Sequence, residues 1–498
     1  MSTDNIYKNL IDGEWADSAT GAAYENLNPA DTRDVVGIFQ QSGKQDIDFA
    51  VEAATRAFYK WRLVPAPRRA EILYRASEML LTHKQEFARN MTREMGKVLN
   101  ETRGDIQEAI DTGYYMAGEG RRLFGPTVPS ELPNKFAMAV RQPVGVIGMI
   151  TPWNFPMAIP SWKLFPSLVA GNTCVIKPAQ DTPFSTLLLA QTLMAAGLPR
   201  GVVNVVTGFG PEAGEPLIGH SGIRALSFTG SSKVGQHVGE VCAHSFKRCS
   251  LEMGGKNPMI VLDDANLDLA LEGAVWGAFG TSGQRCTATS RIIVQKGVYD
   301  EFLRRLVDRA RALTVGNGLD ENIAMGPVIN RTQMETILLY IEIGQQEGAK
   351  LCCGGSRLDS GNYAHGWFLS PTVFGDVHPE MRIAREEIFG PVASVIPCDG
   401  FDHAIAIANG VEYGLSSSLY TRDVNKAFAA MRDLDCGITY INAPTIGAEV
   451  HLPFGGCKAT GNGHREGGIG AIDFYTEWKA LYIDYSDRLQ RAQIDRLD

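Results

Sequence analysis

The sequence predicts an α/β protein organised on an open, doubly wound parallel sheet. Three observations carry that reading. Strand-like apolar runs over 144–150, 173–177, 203–206, 225–228 and 248–251 alternate with helical stretches over 157–170, 184–196, 212–219 and 232–244. Single helices between strands mark parallel crossovers. The turns after those strands are rich in glycine and polar residues, and such sheets bind ligands beyond the carboxyl ends of their strands. Finally, 498 residues exceed what one hydrophobic core supports, so two or three domains are expected.

In chain order, short strands are predicted over 24–29 and 35–40, then a helix over 46–62. Ile72, Leu73, Ala76, Met79, Leu80 and Phe87 recur at helical spacing. A second long helix is expected over 100–122. Pro129 and Pro133 mark a loop before an extended strand that ends near 142. The alternation described above follows. A second α/β series then runs over 253–442, with strands near 259–262, 292–294 and 392–396. A strand over 478–485 and a polar tail over 486–498 close the chain. There is no internal repeat and no low-complexity stretch.

Composition narrows the function. Apolar content of 44% and charged content of 21% describe an ordinary globular protein. The net charge of −9 is spread along the chain, so neither a nucleic-acid nor a membrane partner is expected. The opening residues lack a basic start and an apolar core, so no secretory signal is read there. Nine cysteines, an odd number with no C-x-x-C pair and none before Cys174, fit neither a disulfide framework nor a zinc site. No metal is expected, and a reducing cytoplasm is the simplest compartment.

Chemistry-bearing residues gather at junctions. Gly280-Thr281-Ser282-Gly283-Gln284-Arg285-Cys286 lies between a helical run and a strand-like run. A thiolate there could attack a carbonyl carbon; the other reading is a buried structural thiol. Glu252, in Leu251-Glu252-Met253-Gly254-Gly255-Lys256, could be a general base or a salt-bridged carboxylate. Asn154, in Pro152-Trp153-Asn154-Phe155-Pro156, could donate to an oxyanion or simply form a turn. Lys177 could reach a ribose hydroxyl or a 2′-phosphate, or lie solvated on the surface. Thr207-Gly208-Phe209-Gly210-Pro211 and Phe228-Thr229-Gly230-Ser231-Ser232-Lys233-Val234-Gly235 each follow a strand and open a helix, as phosphate turns do. Neither has G-x-G-x-x-G or Walker spacing, and both also fit ordinary turns. Glu386-Glu387-Ile388-Phe389 could hold a ribose and pack a nicotinamide face, or merely end a helix.

These motifs, in this order, resemble the NAD(P)-dependent aldehyde dehydrogenase superfamily over about residues 10–485. The resemblance implies oxidation of a small-molecule aldehyde to an acid with NAD or NADP, through a cysteine thiohemiacetal and thioester. It implies a Rossmann-like doubly wound cofactor domain (1–122 and 143–252) and an α/β catalytic domain (253–464). It also implies a small β oligomerisation flap (123–142 and 465–485), a tail (486–498), and a homodimer or homotetramer. It makes Cys286 the nucleophile and Glu252 the general base. Asn154 and the Cys286 N–H become the oxyanion donors. Lys177 and Glu387 would hold the riboses and Ser231 the pyrophosphate. Gly210 and Val234 would lie near adenine and Phe389 against the nicotinamide, with Gly230 and Trp153 in the same cofactor set. One position departs from the NAD-preferring pattern: neutral Gln180 stands where a carboxylate often repels a 2′-phosphate, which opens the site to NADP.

The cues to substrate point in several directions. Arg285 could bind the far carboxylate of a semialdehyde bidentately or face away into an ion pair. Gln284-Arg285-Cys286-Thr287 and Gly447-Ala448-Glu449 are similar to the α-aminoadipic semialdehyde branch, in which an acidic helix residue, here Glu108, meets the amino group. Cys286-Thr287-Ala288-Thr289-Ser290-Arg291 looks more like the α-ketoglutaric semialdehyde dehydrogenases. Trp153, Met157, Trp162 and Phe454 could instead line an apolar tunnel for a broad range of aliphatic or aromatic aldehydes. Two other classes stay open: an enzyme that passes the acyl group to CoA, and a thiol ester hydrolase needing no cofactor.

Overall fold

The computed structural model describes residues 6–495; residues 1–5 and the last three of the expected tail lie outside them. Two seven-stranded sheets dominate. The first contains β1 (Asn9–Ile11), β2 (Glu14–Ala16), β3 (Val146–Ile150), β4 (Thr173–Lys177), β5 (Val203–Val205), β6 (Ala225–Thr229) and β7 (Arg248–Glu252). Its order is β7-β6-β3-β4-β5-β1-β2. The five strands expected from the sequence are all parallel. The N-terminal hairpin β1–β2 adds two antiparallel strands at the edge, beyond the strands expected from the sequence.

The chain winds from β3 outward to β5, then returns to place β6 on the other side of β3. That reversal opens a crevice between the carboxyl ends of β3 and β6. Side chains alternate across the sheet: Ile147, Met149, Cys174 and Ile176 enter one core, while Val146, Val175, Leu226 and Phe228 enter the other. Both faces are therefore covered, as a parallel sheet requires. The long helices α2 (Ala66–Met95) and α3 (Leu99–Glu119) share the first of these cores. The expected helix over 212–219 is instead a π-helical turn, Gly210–Gly214, running into a short α-helix, Glu215–Gly219.

The second sheet contains β8 (Asn257–Val261), β9 (Thr289–Gln295), β10 (Lys350–Cys353), β11 (Thr372–Gly375), β12 (Val392–Cys398), β13 (Ser416–Tyr420) and β14 (Ile438–Ile441). Its order is β10-β11-β12-β9-β8-β13-β14, with only β10 antiparallel. The first sheet offers the carboxyl ends of its strands to the active-site region. The second offers the stretches that lead into β8, β9 and β12. A separate three-stranded antiparallel sheet joins Thr127–Pro129, Lys135–Pro143 and Thr476–Asp484. Residues 465–475 precede that sheet, and helix Gly470–Tyr475 packs on α4 (Ala158–Ala170). Among the described residues no helix is long and apolar enough to cross a membrane.

Candidate active site

The turn that carries Cys286 is strained and tightly tied. Helix α8 (Leu267–Phe279) ends in a short 3-10 turn in which Thr281 and Ser282 both have φ of 54°, followed by Gly283 at 68°. Non-glycine residues persist in that region only when their surroundings hold them there. Here the Thr281 N–H donates to Glu101 (2.6 Å), Ser282 Oγ to the Gly326 carbonyl (2.7 Å), and the Ile329 N–H to Gln284 Oε1 (3.0 Å). The sulfur that follows stands where two cavities meet. One, of about 700 Å³, is lined by Glu252, Trp162, Phe454, Arg285 and Glu108. The other, of about 820 Å³, is lined by Asn154, Trp153, Gly230, Ser231, Glu387 and Phe389. Cys286, Ile159, Thr229 and Met253 line both.

Burial pushes the Cys286 thiol up to about 12, and the Glu387 and Glu252 carboxyls push the same way. The N–H groups of Thr287 and of Cys286 itself oppose this by facing the sulfur. The resting thiol is therefore protonated and needs a base. Among the described residues no side chain bonds either carboxyl oxygen of Glu252, which is 2% exposed at the end of β7; the Gly456 N–H favours its charged form. Burial, then the charge of Glu466, raises Glu252 well above the ordinary carboxylate range. The salt-bridged alternative for Glu252 is thus not what the fold builds. Asn154 donates one amide hydrogen to the Gln284 carbonyl (3.1 Å). That bond fixes the side chain, and an amide carries a second hydrogen for the cavity.

Behind Glu252 lies a charged group that the sequence reading missed. Lys163, fully buried on α4, pairs with Glu466 and donates to Ser227 Oγ (2.9 Å). A lone lysine in an otherwise apolar helix was the available signal. Its cation lowers Glu252 while Glu466 raises it, so the pair tunes the carboxyl that faces the sulfur.

The second cavity fits a dinucleotide. Ser231 caps α7 (Ser232–His244) by accepting the Val234 N–H at 3.4 Å, leaving other N–H groups of the first turn for an anion. A Cβ on Gly210 would meet nothing, so that backbone lies open. Trp153 and Phe389 stand edge to face, with centroids 5.3 Å apart, and give a flat wall for an aromatic ring. Phe389 has φ of 56°, another strained position at the site. Glu387 accepts the Gly255 N–H (3.0 Å), and burial pushes it up to about 7.

Lys177, Gln180, Gly210 and Val234 fall outside this cavity's lining. Lys177 lies under the 208–214 loop, donating to the Pro178 carbonyl (2.8 Å) and the Gly208 carbonyl (3.3 Å). It is 4% exposed, and burial lowers it to about 8; the solvated alternative does not hold. An amine with only carbonyl partners suits an added hydroxyl or phosphate.

Arg285, Glu108, Trp162 and Phe454 line the first cavity, Trp153 lines the second, and Met157, fully buried, lines neither. Trp162 and Phe454 form an edge-to-face wall at 4.8 Å. Arg285 makes the ion pair of its second reading. Its Nη2 meets Glu101 (3.3 Å) and its Nε meets Thr281 Oγ1 (2.9 Å), while the guanidinium still borders the cavity. Glu108 borders it too, pushed up to about 8 by burial and by Asp105. Asp105 is engaged in a fully buried pair with Lys97 (2.6 Å), whose amine sits 4.0 Å from the Phe155 ring centroid.

Comparison with known proteins agrees with this geometry. The aldehyde dehydrogenase family model matches residues 15–481. An alpha-ketoglutaric semialdehyde dehydrogenase of Bacillus subtilis is 43% identical, over 97% of this chain and 99% of its own length. An alpha-ketoglutarate semialdehyde dehydrogenase of Haloferax volcanii is 44% identical, over 96% and 99%. The crystal structure of betaine aldehyde dehydrogenase from Staphylococcus aureus in complex with NAD+ superimposes with a TM-score of 0.94 at 34% identity, covering 97% of this chain and 96% of that one. The chain belongs to the aldehyde dehydrogenase family and is an NAD(P)-dependent, aldehyde-oxidising member of it.

Proposed function

We propose that this enzyme oxidises an aldehyde bearing a distal carboxylate, of the α-ketoglutaric semialdehyde type, with Cys286 as nucleophile and Glu252 as general base. The observation that carries the reading is that one sulfur borders both cavities, so a carbonyl in the first faces whatever ring the second holds. Cys286 Sγ bonds to the carbonyl carbon as its S–H bond breaks and the proton passes to solvent water. The carbonyl oxygen takes the electron pair and meets the Asn154 amide and the Cys286 N–H. One such donor is worth about 3 kcal/mol in a dry site. A nicotinamide bound in the second cavity accepts the hydride. Glu252 then takes a proton from water, which attacks the thioester carbon and releases the acid and the thiol. Gly230, Ser231, Glu387, Trp153 and Phe389, with Lys177, Gln180, Gly210 and Val234 beyond them, would hold the cofactor.

Arg285 supports the carboxylate. Nε and Nη2 are engaged and Nη1 is not, so an anchored guanidinium keeps a donor for the cavity. Glu108 favours a keto acid over an amino acid. Ionising it beside Asp105 costs an ammonium ligand part of its binding. The names of the two semialdehyde relatives point the same way. In Arg285→Met, loss of a charge-assisted bond worth about 1.5–3 kcal/mol raises KM for the keto semialdehyde roughly 10- to 100-fold. KM for propanal should stay put. Equal KM changes for both aldehydes, or none, would count against the carboxylate.

Both cofactors are proposed to work. Gln180 brings no charge, and the nearest acid, Asp181, accepts the Asn330 amide at 2.8 Å. Lys177 supplies a cation nearby. Initial rates at equal low concentrations of NAD and NADP should differ by less than about a thousandfold, the scale of an uncompensated like-charge contact; a larger NAD preference removes the idea. We also propose that the three-stranded sheet pairs copies of the chain, since it exposes Val128, Phe136, Trp478, Tyr482 and Ile483. A cytoplasmic location suits nine free thiols.

A further inference from the structure

Strand β8 opens with Asn257 and Pro258, yet it lies inside the sheet between β9 and β13. Proline has no N–H for a ladder bond. The register between β8 and β9 slips at this point, from Asn257 opposite Thr289 to Pro258 opposite Arg291, and the two strands carry no backbone bond into the turn before β9. The Asn257 side chain does that work. Its amide donates to the Cys286 carbonyl (2.7 Å) and to the Ala288 carbonyl (2.9 Å). Its own oxygen accepts the Ser416 N–H at 3.0 Å. The residue is 2% exposed and makes three of the four bonds its amide allows.

The neighbouring carbonyls are held as well. Gln284 O is held by Asn154 (3.1 Å), Arg285 O by the Ala288 N–H (3.0 Å), and Thr287 O by Thr445 Oγ1 (2.6 Å). In a trans peptide the C=O of one residue and the N–H of the next point opposite ways. Holding the Cys286 carbonyl toward β8 therefore turns the Thr287 N–H away from β8, and that N–H acts to lower the Cys286 thiol. Gly255 leaves room for the arrangement, because a Cβ there would sit 2.6 Å from the Cys286 carbonyl oxygen.

We propose that Asn257 is a positioning residue for this reaction: by holding the Cys286 carbonyl it aims the Thr287 N–H at the sulfur and favours the thiolate. The inference rests on Cys286 being the nucleophile, and the test separates the two. The holoenzyme is alkylated with iodoacetamide across pH, modification of Cys286 is followed by peptide mass, and kcat and KM are measured in parallel. In Asn257→Ala the alkylation profile moves up by about one pH unit, the scale of one lost donor to an anion. kcat falls about 10- to 100-fold, as for a small misplacement of a reacting group, and KM for NAD does not change.

Thr445→Val frees the Thr287 carbonyl, and with it the Ala288 N–H rather than that of Thr287, so its alkylation profile stays with the wild type. If Asn257→Ala does not fold, Asn257→Asp carries the test. As a carboxylate it repels both carbonyls, and it regains activity relative to the wild type as falling pH restores an O–H donor. An unshifted profile with kcat within threefold of the wild type overturns the proposal, as do equal shifts in the Asn257 and Thr445 variants. Wild-type enzyme that stays active after Cys286 is alkylated overturns the assignment of the nucleophile instead.

Discussion

Replacing Cys286 with Ser lowers kcat for aldehyde oxidation by about 10⁴-fold or more, the range seen when a covalent nucleophile is removed, while NAD affinity is preserved. The reason is the resting state of the site. The Cys286 thiol is already pushed up to about 12, so turnover depends on moving one proton from sulfur as it meets the carbonyl. Serine starts from a weaker acid in the same buried place. The oxygen is also smaller, and it leaves an ester that resists the water attack a thioester permits. Cofactor binding survives because Cys286 supplies one wall of a cavity whose other walls come from α7, the 152–154 turn and the 387–389 loop. NADH absorbance reads the first effect and quenching of protein fluorescence by NAD reads the second. A serine variant within tenfold of wild-type turnover removes the sulfur from the chemistry.

Much of this site was legible because it sits where two simple patterns intersect. Strand–helix alternation marks β3 to β7 nearly residue by residue, since β3, β4 and β6 are largely apolar and evenly spaced between helices. The carboxyl ends of those strands point to Asn154, Lys177, Ser231 and Glu252. Cys286 followed from its own junction between α8 and β9. Arg285 is legible from its place beside the nucleophile, and Trp162 and Phe454 from their rings, whereas Glu108 is reached only through the resemblance.

What was not legible depended on contacts between segments distant in sequence. Asn9–Ile11 and Glu14–Ala16 escape a periodicity reading because each strand is three residues long. The Asp12-Gly13 pair between them, at φ of 51° and 73°, is a hairpin signal that outweighs such short runs. Lys163 and Glu466 are 303 residues apart, and nothing local to either announces the other. The ion pair of Arg285 is not legible locally, because its planar fork bonds the distant Glu101 on one side and borders the cavity on another. Asn257 is harder still, because it acts on carbonyls across the sheet that a string of letters does not display.

Glu252→Gln separates the two halves of turnover. The amide has nearly the shape of the acid but cannot accept a proton, so the variant should form acyl-enzyme and stall. The expected record is a burst of about one NADH per active site, then a steady state lowered by roughly 10²- to 10⁴-fold, the usual share of a positioned general base. The pH profile carries an independent signature. Burial and Glu466 raise the Glu252 carboxyl well above its ordinary range. The basic, competent form is therefore lost as pH falls through that raised value, and the wild-type rate falls with it. Glutamine does not titrate, so the residual steady state loses this limb. Lys163→Met should move the limb to higher pH in the wild-type background, since the Lys163 cation is what lowers Glu252 against Glu466. If the burst itself vanishes in Glu252→Gln, with acyl formation as slow as turnover, then the carboxylate serves the thiol of Cys286 before it serves water.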